Sequence, residues 1–157
     1  MRKFALALAL LFPLGAAAGF DEGVQAYNSG DYAKAVAEFK PLAEQGHADA
    51  QFIMGRLYHE GYGVPRDQVE AAKWFRRAAE QANSSSQYYL GLMYEKGEGV
   101  QKDLVAAHMW LSLSKVNPPN RRDRYYTQEI IDKLEKKMSA EDVARAKKLA
   151  AEWKPVK

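Results

Sequence analysis

Two stretches of this chain say nearly the same thing. GRLYHEGYGVPRDQVEAAKWF begins at Gly55 and GLMYEKGEGVQKDLVAAHMWL at Gly91, a frame of 36 residues with no gap. Nine of the 21 positions are identical: Gly55/Gly91, Tyr58/Tyr94, Gly61/Gly97, Gly63/Gly99, Val64/Val100, Asp67/Asp103, Val69/Val105, Ala71/Ala107 and Trp74/Trp110. A fixed period of this size marks a stacked architecture, in which each unit buries its apolar face against its neighbours. No compositional property constrains the fold as strongly.

Within each copy the pattern reads helix, glycine loop, helix. Ala50, Met54, Leu57 and Tyr58 recur at helical spacing along one face. Gly61 and Gly63 end that helix, and Asp67 is placed to cap the next. Ala71/Ala72, Trp74/Phe75 and Ala78/Ala79 then alternate small and large apolar positions, which suits close helix packing. A degenerate copy precedes these two. Gly23 stands 32 residues before Gly55, whereas Asp31, Ala35 and Phe39 stand 36 before Asp67, Ala71 and Phe75, so its inter-helix loop is four residues shorter.

After Val116 the repeat stops. Pro118 and Pro119 bar helix continuation, and residues 120–123 resemble a capping box that opens a new helix. Ile130, Leu134 and Met138 form its apolar stripe. Ser139 starts a last helix striped by Val143, Ala146, Ala150 and Trp153. An open-ended stack needs a distinct element over its final apolar face, and this pair serves as one. The expectation is eight helices and no strand: an all-α, right-handed α/α superhelix of about three helix-turn-helix units plus a C-terminal cap pair.

The chain opens MRKFALALALLFPLGAAAG, with two basic residues, a short apolar run and small residues at 16–18. This predicts a secretory signal peptide cut after Ala18. The apolar run is too short to span a bilayer comfortably, and no second one follows. The expected product is therefore exported, soluble, periplasmic or secreted, and not inserted in a membrane. The expected divisions are 1–18 signal peptide, 19–47 first unit, 48–83 and 84–117 the two full repeats, and 118–157 the cap. With no cysteine, the bacterial lipoprotein route is closed and packing alone must hold the fold. Removing Arg2 and Lys3 lowers the formal charge from +3 to +1, which leaves no general electrostatic reason to bind nucleic acid.

The tandem G-x-[LM]-Y-x-x-G-x-G-V-x-x-D-x-x-x-A-x-x-W resembles the Sel-one-like repeat, a relative of the tetratricopeptide repeat with a longer inter-helix loop. Residues 50–82 and 86–116 match closely. The first unit, with Gly23, Gly30-Asp31-Tyr32, Ala35 and Phe39, is more similar to an ordinary tetratricopeptide repeat. The resemblance implies a scaffold, since members include periplasmic regulators of sensor kinases, exopolysaccharide-secretion components, host-contact factors and degradation-complex subunits. A cysteine-rich subgroup binds or slowly cleaves penicillins, and its paired cysteines are absent here.

No chemical motif competes with that reading. Gly61, Gly63, Gly97 and Gly99 lack the preceding strand and the Gly-Lys-Ser/Thr of a phosphate loop. Trp74 and Trp110 sit mid-helix at one repeat position and are expected in the core, and Gly55, Gly91 and Trp153 are likewise expected to be structural. His47, His59 and His108 make no metal-ligand spacing, and no catalytic constellation, metal site or cofactor is expected. Arg121, Arg122 and Arg124, beside Tyr125 and Tyr126, are a secondary contact candidate for an acidic partner.

The row opposite the packing stripe on each first helix is the expected partner surface: Phe52, Arg56 and His59, with Tyr88, Leu92 and Glu95 one frame on, and Val24 and Tyr27 (after Phe20) in the first unit. In tetratricopeptide-like stacks this row lines the concave face, and its aromatic-plus-arginine content is that of a binding hot spot. The expected occupant is a protein or peptide. The alternatives are an envelope glycan stacked on Tyr62, Tyr88 and Tyr89, or an enzyme of the penicillin-hydrolysing kind. Self-association finds no support in the sequence.

Overall fold

In the computed structural model the 36-residue frame becomes a pair of packed helices, repeated. The structure describes the backbone of residues 16–116 and 121–156 and the side chains of 19–116 and 124–156. The expected signal segment thus lies outside the described residues, except for the backbone of 16–18. Eight helices and no strand are found among the described residues: α1 (Ala16–Ser29), α2 (Tyr32–Glu44), α3 (Ala48–Glu60), α4 (Gln68–Glu80), α5 (Ser84–Lys96), α6 (Leu104–Ser114), α7 (Arg121–Glu135) and α8 (Ala140–Glu152). The all-α solenoid read from the repeat is the fold.

Helices α2 to α6 and α8 begin where a side chain accepts from their first free N–H groups. Asp67 accepts from Val69 and Glu70, and Asp103 accepts from Val105 and Ala106, all at 2.9–3.0 Å. The first helices of the two repeats are capped by unlike residues at one frame position: Asn83 accepts from Ser86 at 2.9 Å, and the His47 ring nitrogen accepts from Ala50 at 3.3 Å. Gly61 and Gly97 close α3 and α5 in the left-handed conformation.

Close approach within a pair depends on missing side chains. A Cβ at Gly55 would come within 2.6 Å of the Phe75 ring, one at Gly91 within 2.7 Å of Leu111, and one at Gly23 within 2.8 Å of Phe39. The shorter first unit therefore packs by the same device as the full repeats. Between pairs the joint is also glycine. Gly63 (φ 70°) lies against the backbone of Tyr32 and Ala33 at the start of α2, where a Cβ would approach the Tyr32 carbonyl oxygen to 2.5 Å. Gly99 (φ 66°) lies in the same way against Gln68 and Val69 at the start of α4. Both positions thus need glycine for two independent reasons.

Buried glutamines repeat as well. Gln51 donates to the Ala43 carbonyl at 3.0 Å and Gln87 to the Ala79 carbonyl at 3.2 Å, each satisfying the frayed end of the preceding helix. Trp74 (7% exposed) belongs to a core with Ala35, Phe39, Leu42 and Ala43, and Trp110 (5%) to one with Ala71, Ala72, Phe75 and Ala79. Each tryptophan therefore reaches back across the joint into the preceding unit.

α3 touches α5, whereas α2, α4 and α6 make no comparable contact with one another. α3 and α5, with α1 linked to α3 through Tyr27 and Arg56, thus form the inner layer. The two terminal helices part company at α6. α7 brings Ile131 and Leu134 against Ala107 and Leu111, while α8 brings Ala150 and Trp153 against Trp110 and Leu113 on another face of the same helix. Both pack chiefly on α6, and the Lys147–Glu135 ion pair joins them to each other. The stripe that buries α7 is Thr127, Ile131 and Leu134, one position round from the expected Ile130, Leu134 and Met138, of which Ile130 and Met138 are only partly buried. Beyond α8 the Val156 N–H donates to the Glu80 carbonyl at 2.9 Å, tying the tail to the end of α4.

Candidate functional site

The expected row lies on the inner-layer helices, and the structure divides it. In the second repeat, Tyr88 and Leu92 are partly buried against the α7 cluster of Ile131 and Leu134. Glu95 pairs with Lys137 at 3.5 Å. This third of the row is thus engaged by the chain's own C-terminal segment. Phe52 packs between repeats, with ring centroids 6.1 Å from Phe75 and 6.0 Å from Tyr89. Val24 packs on the first core, and Phe20 stacks on His47 at 4.8 Å.

His59 has a local task. Its Nδ1 bonds the Gln68 side-chain oxygen at 2.8 Å, and Gln68 donates back to the His59 carbonyl at 3.1 Å. The pair clamps the end of α3 to the start of α4 across the glycine loop. The ring remains half-buried beside Tyr89, at 5.9 Å.

Arg56 and Tyr27, both in the expected row, lie close together. The guanidinium carbon lies 5.6 Å above the Tyr27 ring, a cation–π arrangement between α3 and α1. Tyr32 meets Tyr27 edge-on at 5.5 Å and stacks on Tyr62 at 4.5 Å. Tyr62, in the glycine loop, is 38% exposed. Burial pushes the Tyr27 phenol above its ordinary value against the opposing pull of Arg56, with Tyr32, Tyr62 and Tyr89 close enough to contribute. The phenol is therefore neutral, and a hydrogen-bond donor, at every physiological pH. One cluster thus draws rings from three units: Tyr27 and Tyr32, then Arg56 and Tyr62, then Tyr89. The expected row named Tyr27 and Arg56 but missed Tyr32, because a helix-start residue carries no signal of which neighbouring loop will reach it.

Of the arginine cluster, the side chains of Arg121 and Arg122 lie outside the described residues. Arg124 is exposed, next to Tyr125, which is 66% exposed.

Two polar groupings were invisible to sequence reasoning. His108, 1% exposed on α6, bonds Glu135 of α7 at 2.8 Å through Nε2, and its Nδ1 meets the Ser112 hydroxyl at 3.3 Å. Lys147 of α8 reaches the same Glu135 oxygen at 2.9 Å. Serine, histidine and carboxylate thus line up. However, Ser112 is one turn from His108 on the same helix, and the burial of the ring suits a tie among three helices rather than a nucleophile. The second grouping is an outer cleft of about 650 Å³ lined by Arg76, Tyr94, Lys102, Asp103 and Arg145. In it Arg76 donates to the Tyr94 hydroxyl and lies over its ring at 5.5 Å. Both depend on where α7 and α8 land, which periodicity does not specify. Among the described residues no group of three His, Cys, Asp or Glu is placed to hold a metal ion, and no helix is long and apolar enough to cross a membrane.

The profile of the Sel1 repeat family matches residues 48–83 and 84–114. Over 54 residues the chain is 35% identical to an exopolysaccharide production negative regulator of Rhizobium leguminosarum bv. viciae, covering 34% of this chain and 20% of that one. It superposes on c5321, a protective antigen of uropathogenic Escherichia coli with an SLR fold, at a TM-score of 0.79 and 33% identity, over 88% of this chain and 29% of that one. The chain thus spans less than a third of either protein. A Sel1 repeat protein from Oxalobacter formigenes is of more similar size: 30% identity and a TM-score of 0.63, over 73% of this chain and 88% of that one. Sequence repeat, fold and the likeness over most of the Oxalobacter protein agree: the chain belongs to the Sel1 repeat family.

Proposed function

We propose that this protein is an exported scaffold, without catalysis, that holds a protein or peptide partner on the inner face of its helical stack. The observation that carries the reading is the cluster in which three successive units bring Arg56, Tyr32, Tyr62 and Tyr89 close to Tyr27. Large rings with few rotors and an arginine are the residues that concentrate binding energy in protein interfaces. All but Tyr62 stand here on packed helices, and Tyr62 is stacked on Tyr32, so little order has to be imposed on this side when a partner docks. Phe52 and His59 border the cluster, and Arg124 with Tyr125 offers a second contact at the far end. The likeness to a regulator of exopolysaccharide production supports a role in an envelope regulatory assembly. Residues 1–18, read as a leader, supply the route out of the cytoplasm.

Photo-crosslinking in the producing cell tests this reading. A photoreactive residue at Tyr62 is expected to trap a discrete protein adduct, while one at Val69, exposed on α4, traps none. Adducts at both positions, or at neither, would remove the inner face as the binding surface.

A further inference from the structure

Arg56 is the least satisfied charge in the described structure, and its surroundings say what it lacks. The residue is half-buried on the inner layer, its Nε is shielded from water and has no hydrogen-bond partner, and no carboxylate pairs with it. Its one partner is the face of the Tyr27 ring. Besides it, only the uncharged Trp74 indole N–H and Ser86 hydroxyl are buried without a partner among the described residues, and other polar side chains nearby are answered. His59 has Gln68, Gln51 has Ala43, and Glu95 has Lys137. The corresponding positions of the neighbouring units, Val24 and Leu92, are apolar, so the charge belongs to this unit alone.

Arginine is weakly hydrated, always charged, and forms paired bonds to a planar acceptor. With its guanidinium carbon 5.6 Å over the Tyr27 ring, Arg56 has no hydrogen-bond acceptor among the described residues and keeps its N–H groups for such a partner. The Tyr27 phenol, held neutral by burial, adds a donor rather than negative charge. We infer that Arg56 is the receptor for a carboxylate: the inner groove takes an extended peptide whose Asp or Glu side chain pairs with Arg56 while flanking apolar side chains contact Phe52 and Tyr62. Binding has no existing salt bridge to displace. The rings favour a peptide over a sugar, because Tyr62 and Tyr89 each have one face already stacked, on Tyr32 and Phe75. This inference rests on the inner-face reading above and adds the chemistry of the occupant.

The test is selection of a random twelve-residue peptide display library on the purified protein, followed by a double-mutant cycle on the best binder. The selected peptides are expected to share one acidic position between apolar ones. Replacing that acid by its amide should weaken binding to the native protein by about 30-fold or more, the usual range for one member of a buried charge pair. On Arg56→Met, which keeps an apolar stem over Tyr27, the same replacement should have no effect. Circular dichroism establishes that the variant is folded. If it is not, Arg56→Lys, which keeps the charge but loses the fork, should retain part of the discrimination. Selected peptides with no acidic position, yet weakened by Tyr62→Ala, would overturn the carboxylate role and leave the inner groove standing. An acidic peptide indifferent to Arg56 would do the same. If no peptide is selected and an oligogalacturonate binds in an Arg56-dependent manner, the occupant is a sugar acid and the peptide is wrong. Failure of both probes overturns both readings.

Discussion

At the scale of single residues, the tightest constraints come from positions that answer two demands together. Gly99 must adopt a left-handed backbone and must also let Gln68 approach. Gly99→Ala therefore meets a conformational penalty of roughly 1–2 kcal/mol plus a backbone clash with no flexible side chain to yield. Urea unfolding should show a loss exceeding the conformational penalty alone. The turn requirement was legible, because glycine at one frame position twice over signals a helix-ending loop. The close approach was not, since the opposing residue lies in the preceding unit. Glu135 offers a second prediction. Bonding to His108 and then Lys147 holds its carboxyl below the usual range. Its value in the folded state is thus below that in the unfolded chain, near 4.3. The stabilisation is fully present above that pH and disappears as pH falls through the folded value. Below about pH 4 the melting temperature should fall more steeply for the native protein than for Glu135→Gln.

Elements show where periodicity stops being informative. Every helix was readable from caps, stripes and breakers, because these are local. The targets of α7 and α8 were not. A stripe of Val143, Ala146, Ala150 and Trp153 announces that α8 covers something, yet only the packing shows that this something is Trp110 and Leu113 of α6. For the same reason the outer cleft, the His108 tie and the involvement of Tyr88 and Leu92 with α7 left no trace in the pattern. Trp110 is where this matters energetically, since it joins three elements: α4, α6 and, through Trp153 at 6.2 Å, the segment after α8. Trp110→Ala should lower unfolding free energy by about 3–5 kcal/mol in urea titration. Trp153→Ala, at a more exposed position, should lose less and leave helix content intact by circular dichroism.

Across the whole molecule, three units stack through two joints of one design, Gly63 on Tyr32 and Gly99 on Gln68. The unit is therefore transferable. Inserting a second copy of residues 48–83 between positions 83 and 84 places Asn83, already a competent cap, where His47 stands for the original. The longer chain should fold cooperatively, with a steeper urea dependence in proportion to its added buried surface.

The nature of that joint has a consequence on the timescale of genomes. Its contact is glycine against main chain, and main chain is the same whatever side chains it carries. A unit duplicated by misaligned recombination would meet its neighbour without first acquiring matched residues on either side. Copy number can then change in one genetic step and yield a folded product at once. Selection is left to adjust only what each added unit presents to its ligand.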